Sequence, residues 1–116
     1  MAWLMSEARV LASVEVARDH AARVKGLLGR TGVEGALAIT KCRSVHTLGM
    51  KFPIDVAYVG ADEVVIKTET LKRNRLALPV LKARWVIEAE AGAFERWGLR
   101  AGHSVEIRET DPAASA

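Results

Sequence analysis

The apolar residues of this chain come in short runs that alternate more often than they cluster. Leu11 to Ala17 reads Leu-Ala-Ser-Val-Glu-Val-Ala, with Val14 and Val16 on one side and Ser13 and Glu15 on the other. That is the period-two signature of a half-buried strand. Similar segments recur at Ala36–Thr40, Ile54–Val59, Val64–Leu71, Trp85–Ala89 and Ser104–Arg108. Only two stretches read as helices. One opens with Asp19 as N-cap and runs through Ala21, Val24, Leu27 and Leu28 to a stop at Gly29. Gly26 lies inside that stripe, where glycine costs about 1 kcal/mol relative to alanine, so it is expected to pack against another backbone. The other, Ala91 to Trp97, is closed by Gly98 with Leu99 as its apolar partner. Strands and helices do not alternate regularly, which excludes a doubly wound sheet. Short strands have vulnerable edges, and closing them on themselves protects those edges. The expected fold is α+β: a small, mostly antiparallel, β-barrel-like sheet of about six or more short strands with two short helices.

The remaining segments are connections. Lys41 to Phe52 has no clean period and reads as an ordered loop or bent strand pair. Gly60-Ala-Asp-Glu is a hairpin turn, and Lys72 to Ala83 is a basic connection broken by Pro79. The chain's 116 residues make one domain, 1–116, with an ordered core expected over about 8–109 and a flexible tail at 110–116. Half the residues are apolar, so the domain can bury a core without a disulfide or metal. Cys42 is the single cysteine, which excludes a secreted disulfide scaffold and points to a reducing, cytoplasmic setting. The start, Met1-Ala-Trp-Leu-Met-Ser-Glu7, has no basic residue before its short apolar run and is not a signal peptide. No apolar run is long enough to span a bilayer, and a membrane is left out of the expected partners. A monomer or weak dimer is expected.

The net charge of +3 is too small to diagnose a nucleic-acid partner. It is, however, unevenly distributed. Lys72, Arg73, Arg75, Lys82 and Arg84 form a run without an acid, while residues 88–116 are acidic on balance. Such a run is either a solvated connection or a contact for an anionic partner, nucleic acid or acidic protein. No aromatic residue interleaves it before Trp85, so stacking on single strands is poorly supported.

The segment Cys42-Arg-Ser-Val-His46-Thr47-Leu-Gly-Met50-Lys-Phe-Pro53-Ile-Asp55 gathers cysteine, histidine and aspartate. It has no CxxC or HxH pair, so no metal site and no cofactor are expected. A Cys42–His46 nucleophile pair is chemically allowed, but a buried apolar cysteine is the plainer reading. His46 and Asp55 are the better polar pair: if the loop folds back, Asp55 can accept from one ring nitrogen and leave the other for a ligand. Alternatively, Asp55 holds loop N–H groups. Glu88 alternates with Val86 and Glu90 and either faces solvent or, if both sheet faces are covered, is an inward carboxylate needing a partner such as Arg30.

These residues also carry a resemblance. Arg23-Val-Lys-Gly26-Leu-Leu-Gly29-Arg30, then Cys42 through Tyr58, then Val86-Ile-Glu88-Ala-Glu-Ala-Gly92 and Gly98-Leu-Arg-Ala-Gly102 resemble the bacterial and archaeal family called domain of unknown function 192, from about Val10 to Ile107. The resemblance implies a compact α+β fold around a small β-barrel and no established activity. By position it marks Arg23, Gly26, Gly29, Arg30, His46, Thr47, Met50, Pro53, Asp55, Glu88 and Gly92. Two departures stand out: Gly102-His103 replaces a Gly-Asp turn, and the N-terminal secretion signal of many members is missing here.

Three functions are weighed. The favoured one is a binding module, with Arg30, His46, Thr47, Asp55 and Glu88 around one groove for a small polar ligand or peptide. The second is a hydrolase-type enzyme using Asp55 or Glu88 with His46. The third is an adaptor for an anionic partner through Lys72, Arg73, Arg75, Lys82 and Arg84, with nucleic acid the less favoured partner.

Overall fold

The computed structural model describes residues 1–109. The tail expected at 110–116 lies outside the described residues. Nine elements follow in order: β1 (Ala2–Ser6), β2 (Arg9–Ala17), α1 (His20–Lys25), β3 (Ala36–Thr40), β4 (Ile54–Gly60), β5 (Val65–Leu71), β6 (Ala83–Glu90), α2 (Ala93–Trp97) and β7 (Val105–Glu109). All seven strands join one sheet in the order β5-β4-β6-β3-β2-β1-β7.

The expected sheet is corrected on two points. It is mixed, because β2 and β3 pair in parallel; a parallel pair needs a long crossover, and here the chain between Ala17 and Ala36, including α1, supplies it. Nor is it a closed barrel. The edges β5 and β7 touch only at one end, through the bridge Val64–Ser104 and the Val65 N–H donating to His103 O at 2.9 Å. A third difference is β1, which lies ahead of the core expected from residue 8 and pairs with both β2 and β7.

Both faces of the sheet are covered. On one, Ala38, Ala57, Val59, Ile87 and Ala89 pack with Phe94 and Leu99 from the α2 region. On the other, Leu37, Ile39, Val56, Tyr58 and Val86 pack beneath Leu27, Val45 and Met50 from the loops. Double coverage explains why all seven residues of β4 are buried. Alternation therefore selects which core a side chain enters, not whether it meets water.

Local signals set the helix ends. Asp19 caps α1, accepting from the Ala22 N–H at 2.8 Å. The helix stops at Lys25, four residues short of the expected Gly29, because Gly26 takes φ 50° and ψ −126° as its C-cap. That conformation suits glycine and ends the helical ladder. Gly98 closes α2 in the left-handed region, and the Leu99 N–H donates to Phe94 O at 2.9 Å, as the sequence leads one to expect.

Candidate functional site

Glu88 sits on a central strand and points to the same side as Val86. Its cross-strand neighbours are Leu37 on β3 and Val56 on β4, both apolar and buried. A carboxyl placed there is only 4% exposed. Burial pushes its pKa up to about 7, outweighing the downward pull of the Arg30 guanidinium. Its Oε1 has no hydrogen-bond partner. A buried, unpartnered polar atom costs stability, and a native protein keeps one where something else needs it.

The end of α1 lies over this carboxyl. A β-carbon on Gly26 would stand 3.4 Å from Glu88 Oε1 and 3.6 Å from Ile39 Cδ1. Gly26 therefore faces a side-chain carboxyl and a core methyl, and not another backbone as expected from the sequence. Arg23 lies one helical turn earlier, and its Nε is also buried without a hydrogen-bond partner. Arg23, Gly26, Cys42, His46, Met50 and Glu88 all line one cavity of about 70 Å³. A few water-sized groups fit in that space.

Cys42 belongs to the cavity wall and is half-buried. Its thiol is in hydrogen-bonding contact with Ser44 O at 3.1 Å. Burial pushes the thiol pKa up; the Ser44 contact opposes this, Glu88 adds to it and Arg23 counters it. This direction works against forming the thiolate, which is the nucleophilic form of cysteine. Among the described residues, no three or more His, Cys, Asp or Glu side chains gather as a metal site.

The structure separates residues that the sequence grouped. Asp55 neighbours Ala89, on the opposite face of the sheet from Glu88. Its Oδ1 accepts from the Thr70 hydroxyl at 2.7 Å, and its Oδ2 from the N–H groups of Gly92 and Phe94 at 3.0 and 3.1 Å. Asp55 thus anchors the start of α2 and does not pair with His46. A larger cleft of about 410 Å³ lies beside Asp55, but both oxygens of that carboxylate are already engaged.

Thr47 is fully buried and structural. Its hydroxyl donates to Lys72 O at 2.6 Å and accepts from the Arg75 N–H at 2.9 Å, fastening loop 72–76. His46 is exposed, bridges to Leu76 and reaches the cavity wall. Arg30 forms an ion pair with Glu15 on β2 and acts on Glu88 only through its charge. Of the five expected groove residues, Glu88 and His46 share the cavity; Arg30, Thr47 and Asp55 do not line it. Arg23 and Cys42 do, though neither was expected there. The sequence signal for Arg23 was its i, i+3 spacing to Gly26, which puts both on one side of a helix turn. Lys72, Arg73, Arg75, Lys82 and Arg84 are all exposed and apart from the cavity.

The fold and site together define a small α+β domain with a cavity that holds a buried carboxyl beneath the end of a short helix. The chain belongs to the DUF192 family: the family model, described as "Uncharacterized ACR", matches residues 3–107. Two solved structures are similar. One, a protein of unknown function from Novosphingobium aromaticivorans, is 22% identical, with 90% of this chain and 82% of that one covered at a TM-score of 0.74. The other, from Sinorhizobium meliloti and described provisionally as a transcription regulator, is 20% identical, with 91% of each chain covered at a TM-score of 0.77. At these identities the likeness is one of fold alone. No curated protein matches the chain.

Proposed function

We propose that this protein is a binding module whose cavity at Glu88 takes a small polar ligand or the end of a peptide. The observation that carries this reading is the pair of buried polar atoms without partners, Glu88 Oε1 and Arg23 Nε, on the wall of one cavity. One is a carboxyl oxygen and the other a fixed donor. A ligand group that both donates and accepts, such as a carboxamide, a urea or a peptide unit, satisfies the two together. The cavity's size limits that group to a few heavy atoms. The reading includes a cytoplasmic setting, supported by the single, unbridged Cys42.

Thermal-shift screening with small amides, ureas and dipeptides tests the proposal, comparing the wild type with Arg23→Met and Glu88→Leu. Compounds that stabilise the wild type and neither variant are the expected result. Stabilisers that act equally on all three would refute the site.

A hydrolase-type enzyme is the second reading. It is favoured by a carboxyl with a pKa of about 7 on the same cavity as His46, since a group poised near neutrality can exchange protons. Asp55 has no part in it. Turnover in an esterase, amidase and phosphatase panel that Glu88→Gln abolishes is the result this reading requires.

A further inference from the structure

Two loops, 41–53 and 72–82, run side by side. The Ala77 N–H donates to Val45 O at 3.0 Å and the Val80 N–H to Arg43 O at 2.9 Å, and His46 bridges to Leu76. Residues 41–54 and 72–84 together contain eight lysines and arginines and no aspartate or glutamate. All eight are exposed, and none takes part in an ion pair among the described residues.

The same loop exposes leucines. Leu76 is 74%, Leu78 80% and Leu81 78% exposed. Its backbone is fastened by the bonds above and by Thr47, so the leucines are held outward by an ordered loop. Side chains this exposed protrude from the surface. Clustered exposed apolar residues mark a contact surface.

The occupant must suit both features. A nucleic-acid backbone would neutralise the cations and leave the leucines in water. A second copy of this face would bring like charges together. An acidic protein would need a matching pocket for each leucine. A bilayer surface bearing anionic lipids meets both features without any shape requirement: its headgroups attract the cations, and protruding leucines enter the boundary between headgroups and chains. We propose that loop 72–84, with the adjoining residues 41–54, docks this domain on an anionic membrane surface. Such docking needs no spanning segment, so the missing span that left a membrane out of the sequence-based expectation has no bearing on it. His46 belongs both to the cavity wall and to this loop contact, so docking would place the cavity beside the bilayer surface.

The test is co-sedimentation of the full chain with vesicles of phosphatidylcholine alone or mixed with phosphatidylglycerol, at low and raised salt. Two variants accompany the wild type: Leu76→Ser/Leu78→Ser/Leu81→Ser, and Arg73→Gln/Arg75→Gln/Lys82→Gln. All six positions are exposed, so thermal unfolding of both variants should stay close to wild type. Wild type is expected to bind only the anionic vesicles and to release with salt. Each variant is expected to lose at least about tenfold in partitioning. No binding at low salt overturns the proposal. So does binding that the leucine variant retains in full, or binding to duplex DNA or an acidic peptide without binding to vesicles.

Discussion

Gly26 and Glu88 meet across the cavity wall: the carboxyl Oε1 stands 3.4 Å from where a β-carbon at position 26 would lie. One residue ends α1 and the other belongs to the sheet's centre, 62 positions later in the chain by their numbers. The end of the helix and the centre of the sheet thus both contribute to the wall of one cavity.

Gly26→Ala should be costly for the fold. Alanine is strained at φ 50° and ψ −126°, and its methyl group would come into contact with Glu88 Oε1 at 3.4 Å. A loss of about 1–3 kcal/mol is expected, measured by urea unfolding. Gly29→Ala, where nothing lies within 4 Å of the added carbon, serves as the comparison for backbone strain alone. A larger loss at position 26 is the expected result.

Glu88 should make stability depend on pH in a defined window. Its pKa is about 7 in the folded state against an ordinary value of 4.5. The folded state thus binds the proton more tightly. The contribution is fully present below pH 4.5 and is lost as pH rises through about 7. The difference amounts to roughly 3 kcal/mol. Unfolding of wild type and Glu88→Gln, measured across this range, should show the variant gaining relative stability as pH rises. A difference that does not change with pH would mean that Glu88 is ionised in the folded protein.

Asp55→Ala should destabilise the protein strongly while leaving the cavity intact. It removes two hydrogen bonds at the start of α2 and one from Thr70 on β5, all on the face away from Glu88. About 2–4 kcal/mol is expected. Chemical shifts of Gly26 and Cys42 amides should stay near wild type at temperatures where the variant remains folded.

Thr47→Val should loosen the basic loop. The hydroxyl's bonds to Lys72 O and the Arg75 N–H disappear, while the side-chain volume is nearly kept. A cost of about 1–2 kcal/mol is expected, with faster amide hydrogen exchange at Asn74 and Arg75 and unchanged exchange in β4.

What the sequence made legible was local. Asp19 and the Gly98-Leu99 pair act within a few residues of themselves, and β3 falls where its apolar run places it. Alternation in β6 put Glu88 on the side of Val86 and left open whether that side was covered; coverage depends on loops from three other parts of the chain. For Asp55 the alternative of holding loop N–H groups is the one the hydrogen bonds show, but its partners, Thr70, Gly92 and Phe94, are 15 to 39 residues away and had no local signal. The short Ala2–Ser6 strand and the parallel β2–β3 pairing had no local signal. Residue type marked Asp55 and Glu88 as unusual, but only the sheet register shows that they serve opposite faces.

The central claim is that Glu88 and Arg23 receive a ligand group. Its most direct measurement is a titration of the ¹⁵N-labelled protein with a small carboxamide or urea that stabilises it, followed by amide chemical shifts. Saturable shifts confined to Gly26, Cys42, His46 and Glu88, and abolished in Arg23→Met, are what the account predicts. Shifts centred elsewhere, or a titration that Arg23→Met leaves unchanged, would contradict it.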